Sequence, residues 1–131
     1  MEDQTHFVRR VASYEGDFKS LMHQIFPKFT QLPADKDTLY YEGTLRAVRL
    51  KEEYHIKIAF DPQEDYNVFI DVLGPGRDNV GKIAEGIGKE LGLEVHLLPF
   101  NIQQRIYAQQ QFWTPDLLAK LEIPTDPRKM N

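Results

Sequence analysis

A glycine-rich loop with a lysine is the strongest chemical motif in the sequence. Residues 76–82 read GRDNVGK, which matches the G-x-x-x-x-G-K part of a phosphate-binding loop, between an apolar run and a helical pattern. In such a loop the backbone amides and the lysine surround a phosphate at the positive end of a helix. The candidate anion-binding residues are Gly76, Gly81 and Lys82. Ile83 stands where a serine or threonine would hold magnesium, so the metal-binding part of the motif is missing.

A structural interpretation of the same stretch is also open. The tripeptide GPG at 74–76 suits a turn, Asp78 or Asn79 can cap the following helix, and Gly81 would allow that helix to pack closely. Nucleotide binding would also need a parallel sheet built by crossovers, for which the chain is short. The sequence therefore favours a role for this loop in assembly of the fold.

Charged residues within predicted strands form a second candidate site. Glu42, Lys57 and Asp71 could be assembled into a nuclease-like site of carboxylates and a lysine. Asp71 lies between Ile70 and Val72, where an unpaired buried carboxylate would be costly. The alternation of the strands also allows the three charged residues to share the open face of a sheet and to pair across strands. A metal-dependent nuclease around Asp71 is kept as an alternative.

Other catalytic arrangements find little support in the sequence. The four histidines show no H-x-x-x-H spacing; His55 and His96 could meet because both are on predicted strands, but solvent-facing positions are favoured. The only serines, Ser13 and Ser20, lie in the predicted first helix and form no nucleophile elbow. There is no cysteine, which excludes thiolate nucleophiles and disulfides. We expect no catalytic residue, no metal and no cofactor, and the sequence leans towards a protein that is not an enzyme.

An aromatic and glutamine-rich segment supplies the candidate partner-binding residues. It runs from Gln103 to Trp113 and contains Tyr107 and Phe112. Tyr107, Phe112 and Trp113 would be good anchors for a protein partner if they are exposed. Burial of the same rings against the edge of a sheet is the alternative.

The spacing of apolar residues predicts the elements that position these side chains. The predicted elements are a helix over 3–26, strands over 39–47, 54–60 and 68–72, a helix over 78–91, a strand over 93–97, and C-terminal helices after Pro99. Pro27 can end the first helix, and Gly16 can bend or break it. Short connections between the three strands imply an antiparallel meander. Gly92 suits the left-handed position after the second helix.

We expect these elements to form a single α+β domain over residues 1–131. In this two-layer sandwich the first and second helices cover one face of a mainly antiparallel sheet. The predicted core residues are Phe18, Leu21, Leu45, Ile56, Ile58, Ile70, Ile83, Ile87 and Val95.

Composition narrows the classes of partner. The 131 residues carry a formal charge of −4, and 41% of them are hydrophobic, as in soluble globular proteins. No apolar run approaches the roughly 20 residues that cross a bilayer, and the start of the chain has no signal-peptide pattern, so we expect a cytoplasmic protein without a membrane partner. Lysine and arginine are scattered, which does not favour nucleic acid as a partner.

Two segments resemble ubiquitin-conjugating enzymes. YYEGTLRAVRLKEEYHIKIAFDP at 40–62 looks like their first two strands, and FWTPDLLAKLEIPTDP at 112–127 resembles the segment after their active site. The resemblance implies that PFNIQQRIYAQ at 99–109 corresponds to the stretch with the histidine-proline-asparagine motif and the catalytic cysteine. Only Asn101 of that motif is present, and Tyr107 or a neighbour takes the place of the cysteine. The resemblance thus implies a catalytically inactive relative that binds a protein partner.

The predicted order of helix, three strands, helix, strand and helix is also similar to that of type III secretion chaperones. Those chaperones are homodimers that bind an unfolded effector segment through apolar surface. We therefore predict a non-enzymatic protein-interaction domain, an adaptor or chaperone, with a homodimer as an option. A nucleotide- or phosphate-binding protein using the Gly76–Lys82 loop and a nuclease around Asp71 are the alternatives.

Overall fold

One antiparallel sheet of six strands organises the residues that the structure describes. The computed structural model describes residues 5–35, 37–47 and 52–98. The elements are β1 (Thr5–Ala12), α1 (Phe18–Ile25), β2 (Thr30–Asp35), β3 (Thr38–Ala47), β4 (Glu52–Phe60), β5 (Val68–Pro75), α2 (Arg77–Glu90) and β6 (His96–Leu97). The strand order is β2-β3-β4-β5-β1-β6, so β2 to β5 form a meander and β1 lies between β5 and β6.

The predicted first helix is wrong over its N-terminal half. Thr5–Ala12 is a strand that pairs antiparallel with β5 along its whole length. Both faces of β1 carry apolar residues: Val8 and Ala12 lie on one face, Phe7 and Val11 on the other. Apolar residues at 7, 8, 11 and 12 repeat the spacing of a helical stripe, which explains the error.

The second half of that predicted helix is confirmed as α1. Gly16 precedes it with a φ of 136°, a conformation that favours glycine. Asp17 caps the helix by accepting a hydrogen bond from the backbone N–H of Ser20 at 3.2 Å. The N–H of Phe26 closes the last turn, and Pro27 follows. The break at Gly16 and the stop at Pro27 were thus both readable from the sequence.

The C-terminus of α2 also follows the prediction. Gly92 has a φ of 73°, and its N–H donates to the carbonyl of Lys89 at 3.0 Å, while the N–H of Leu93 donates to the carbonyl of Gly88 at 2.9 Å. These two bonds form a Schellman motif, which satisfies carbonyls at the end of the helix. Gly88 has a further role, since a Cβ there would collide with the side chain of Val95. The chain can therefore turn tightly from α2 towards β6.

Both helices pack on the same face of the sheet, with α2 lying over β1 and β5. The buried cluster contains Val8, Ala12, Phe18, Met22, Tyr41, Tyr54, Ile56, Ile58, Val68, Ile70, Val72, Val80, Ala84, Ile87 and Leu91. The predicted core residues Phe18, Ile56, Ile58, Ile70 and Ile87 are buried, and Leu21, Ile83 and Val95 are partly buried against them. Leu45 is a wrong prediction, because it is 46% exposed near the end of β3, two strands away from the main contacts of α2.

The layout predicted from the sequence is wrong as a whole. In place of a helix-rich α+β arrangement around a three-stranded meander and one further strand, the described residues form a sheet of six strands with two helices. The strand β2 was missed because its sequence, TQLPAD, is polar and contains Pro33, which are features of a loop. The predicted C-terminal helices lie outside the described residues.

The corrected core leads to a paired prediction. Ile58→Ala removes a fully buried side chain and is expected to lower the free energy of unfolding by about 2–5 kcal/mol. Leu45→Ala should cost about 1 kcal/mol or less, because much of that side chain is already in water. Urea denaturation of both variants measures the difference; equal losses would contradict the placement of Leu45.

Candidate functional site

Four charged residues lie in line across the sheet on the face opposite the helices. The strand register sets Glu42 opposite Lys57, Lys57 opposite Asp71, and Asp71 opposite Arg9. We call these four residues the charged row. The predicted cross-strand pairing of Glu42, Lys57 and Asp71 is consistent with this register, but the predicted open face is wrong. In the intact chain Lys57 is 3% exposed and Asp71 is 1% exposed.

A bidentate ion pair holds the centre of the charged row. Arg9 donates from Nε to Oδ1 of Asp71 at 2.6 Å and from Nη2 to Oδ2 at 2.8 Å. Burial raises the pKa of Asp71, and the charge and hydrogen bonds of Arg9 oppose that shift. Burial lowers the pKa of Lys57, and the negative charges of Glu42 and Asp71 oppose that shift. The Arg9 guanidinium also lies 5.2 Å from the centre of the Phe69 ring.

This geometry gives Asp71 a structural explanation that needs no metal. Both of its oxygens accept from a guanidinium, which is the strongest form of carboxylate pairing in a protein interior. Arg9 was absent from the sequence-based hypothesis because it lay in the predicted helix. Its position opposite Asp71 follows only from the pairing of β1 with β5.

The glycine-rich loop is the start of α2. Gly76 is the N-cap, with φ 85° and ψ 113°, and no side chain caps this helix, so the predicted cap from Asp78 or Asn79 is wrong. A Cβ on Gly81 would meet no atom within 4 Å, so the predicted close packing at that glycine is also wrong. Lys82 lies on α2 with an exposed side chain.

The histidines do not come together. His55 is on β4 and is 4% exposed, which corrects the prediction of a solvent-facing side chain. His96 is exposed on β6, where its ring lies 5.4 Å from that of Tyr66. Two strands, β5 and β1, separate them. Within residues 5–35, 37–47 and 52–98, no group of three histidine or acidic side chains could hold a metal ion.

An open cleft of about 470 Å³ lies between α1 and the strands β2 and β3. We call it the α1 cleft. It is lined by Lys19, Ser20, His23, Pro27, Phe29, Gln31 and Tyr41. Gly43 helps to shape it, because a Cβ there would come within 2.6 Å of the Phe29 ring. The glycine thus allows the ring to lie directly on β3.

A buried hydroxyl group lies in the wall of the α1 cleft. Tyr41 is 5% exposed, and its ring packs edge-to-face with the ring of Phe18, with the two ring centres 6.2 Å apart. Its hydroxyl is buried and has no hydrogen-bond partner among the described residues. Buried polar groups in proteins are almost always paired, so an unpaired hydroxyl beside an open cleft requires an explanation.

The electrostatics around this hydroxyl keep it protonated. Burial raises the pKa of Tyr41, and the negative charge of Asp17 acts in the same direction. Asp17 itself is ionised, because hydrogen bonds from the hydroxyl of Ser20 at 2.7 Å and from its N–H lower the pKa of the carboxyl group. At neutral pH the Tyr41 hydroxyl is therefore a hydrogen-bond donor.

Sequence reasoning missed this site. Tyr41 was recognised only as one residue of an alternating strand, and the segment that covers it was merged into one long helix. The available signal was the residue type, since a tyrosine at a core position needs a partner for its hydroxyl. The predicted partner-binding residues Tyr107, Phe112 and Trp113 lie outside the described residues.

No model of a known protein family and no curated protein matches this chain. Neither helix of the described ranges has the length and apolar character that a bilayer span requires.

The buried ion pair gives a prediction with an internal control. Asp71→Asn removes the charge of a buried carboxylate that accepts two hydrogen bonds from Arg9 and should lower the free energy of unfolding by about 3–5 kcal/mol. Glu53→Gln disrupts the exposed pair of Arg46 and Glu53, whose atoms are 3.5 Å apart, and should cost about 1 kcal/mol or less. Chemical denaturation followed by circular dichroism compares the two, and a loss of similar size in both would argue against the buried pair.

Proposed function

We propose that this chain is a non-enzymatic protein-interaction domain that binds an extended segment of a partner protein in the α1 cleft. The observation that carries the proposal is Tyr41, a residue of the cleft lining whose buried hydroxyl has no hydrogen-bond partner among the described residues. Leaving such a group unpaired costs about 1–3 kcal/mol. A bound partner that supplies an acceptor would recover this free energy.

The size and lining of the cleft also support a binding role. Its volume of about 470 Å³ lies within the range of pockets that hold small molecules or side chains. Apolar walls from Pro27 and Phe29 are combined with a few polar groups from Gln31 and α1. Such a mixture provides burial for affinity and hydrogen bonds for orientation.

The neighbouring sheet edge favours an extended peptide as the occupant. In the part of the chain that the structure describes, β2 pairs with β3 alone and is the outermost strand of the sheet. Its regular pairing covers Thr30–Leu32, and the register shifts before Asp35. Pro33 has no N–H to offer, so an added strand could pair regularly only beside Thr30–Leu32. Because so short a pairing is weak, a side chain in the cleft must supply much of the affinity.

The alternative functions have less support. Both oxygens of Asp71 are taken by Arg9, and Ile83 occupies the place of the magnesium-binding residue after Lys82. Phosphate binding at the Gly76–Lys82 loop stays a prediction. The relationship to ubiquitin-conjugating enzymes or type III secretion chaperones, the homodimer and the cytoplasmic location stay predictions as well.

Peptide selection tests the proposal. The full-length chain is used to select binders from a displayed library of random peptides, and synthetic copies are titrated against ¹⁵N-labelled protein. The amide signals of Ser20, His23 and Gln31 should shift. Tyr41→Phe should weaken binding about 3- to 10-fold, the equivalent of one hydrogen bond, whereas Tyr66→Phe at the opposite edge of the sheet should not. Failure to select peptides, or binding that is indifferent to Tyr41→Phe, contradicts the proposal.

The same substitution has an opposite effect on stability. In the absence of peptide, Tyr41→Phe removes a buried hydroxyl that has no partner, so the free energy of unfolding should stay constant or rise by about 1 kcal/mol. Urea denaturation without and with saturating peptide measures both states. A clear loss of stability in the free variant would mean that the hydroxyl has a structural partner and would remove the basis of the proposal.

A further inference from the structure

The lining of the α1 cleft points to the chemistry of the group that enters it. Resting on the proposed function, we infer that the partner segment places an acidic side chain, a glutamate or aspartate carboxylate, in this cleft. Lys19 and His23 are four residues apart on α1 and therefore project from the same side of the helix. No aspartate or glutamate is among the residues that line the cleft. The rim thus carries the positive charge of Lys19 and the imidazole of His23.

The donors within the cleft match an acceptor with several lone pairs. The Tyr41 hydroxyl is protonated at neutral pH, as tyrosines ordinarily are, and burial raises its pKa further, so it can donate a hydrogen bond. The side-chain amide of Gln31 offers further N–H donors in the cleft lining. A carboxylate accepts from several donors at once, and bonds to a charged acceptor are about twice as strong as bonds to a neutral one.

The apolar walls suit the remainder of an acidic side chain. Pro27 and Phe29 present carbon surface, against which the aliphatic stem of a glutamate can pack. Ser20 is not available for the carboxylate, because its hydroxyl donates to Asp17 at 2.7 Å. Asp17 weakens the positive field near Tyr41, but its carboxylate is held at the start of α1 by Ser20 and does not line the cleft. Lys19 therefore carries the discrimination between a charged and a neutral ligand.

A matched pair of peptides tests this inference with the full-length chain. Selected peptides should be enriched in acidic residues, and replacing the anchoring glutamate of a synthetic peptide by glutamine should weaken binding about 5- to 10-fold. Lys19→Gln should reduce the preference for glutamate over glutamine to less than about 2-fold. Lys89→Gln is the control, since it removes another exposed lysine, in the last turn of α2 and away from the cleft, and should leave the preference intact.

The outcomes separate this inference from the proposed function. Peptides that bind in a Tyr41-dependent way but show no preference for glutamate overturn the inference and leave the interaction domain standing. Absence of any Tyr41-dependent peptide overturns both. Free glutarate that binds as tightly as the peptide, or a phosphoserine peptide that binds more tightly than the glutamate peptide, also overturns it. If Lys82→Gln abolished the preference for glutamate over glutamine, the carboxylate would bind at the start of α2, and this result would also contradict the inference.

Discussion

The ion pair between Arg9 and Asp71 is the interaction that ties the first strand of the chain to β5. Two charges leave water only if both are well paired, and here two short hydrogen bonds join a guanidinium to a carboxylate. A shift of β1 by one residue would turn Arg9 to the helix-covered face and, in one direction, would set Val8 opposite Asp71, which would leave the buried carboxylate without this guanidinium. A shift in the other direction would set Arg10 opposite Asp71. The ion pair therefore opposes one shift that the apolar residues on both faces of β1 would tolerate.

Local features could be predicted from the sequence better than the order and pairing of the strands in the sheet. The meander strands β3, β4 and β5 were predictable, because one face of each follows the period-two rule and the connections are short. The glycines at 16 and 92 marked a break and a helix end, since their conformations are properties of glycine itself. The pairing of β1 with β5 was not predictable from local pattern. It depends on a partner far along the chain, and a strand with two apolar faces imitates a helical stripe.

In the candidate site, too, local features were predictable from the sequence and tertiary contacts were not. The alternation placed Glu42, Lys57 and Asp71 on one face, but the missing member, Arg9, and the burial of the row depend on tertiary structure. The α1 cleft depends on tertiary structure even more. It arises where α1, the turn after it and two strands meet, and each contributes one to three residues. A buried hydroxyl without a partner becomes visible only when its neighbours are known. Such a group lowers stability in the free protein, as expected where a site is kept ready for a ligand.

The position of β1 has a consequence for how the chain acquires its fold during synthesis. The hairpins β2–β3 and β3–β4 join neighbouring segments and can form as soon as those segments leave the ribosome. Arg9 and Asp71 are 62 residues apart, so the first strand has no partner until β5 has been made. Closing so long a loop carries an entropic cost that local hairpins avoid. For most of that interval Val8 and Val11 lack the β5 strand beside which they are buried in the folded chain, and transiently exposed apolar surface of this kind is prone to aggregation.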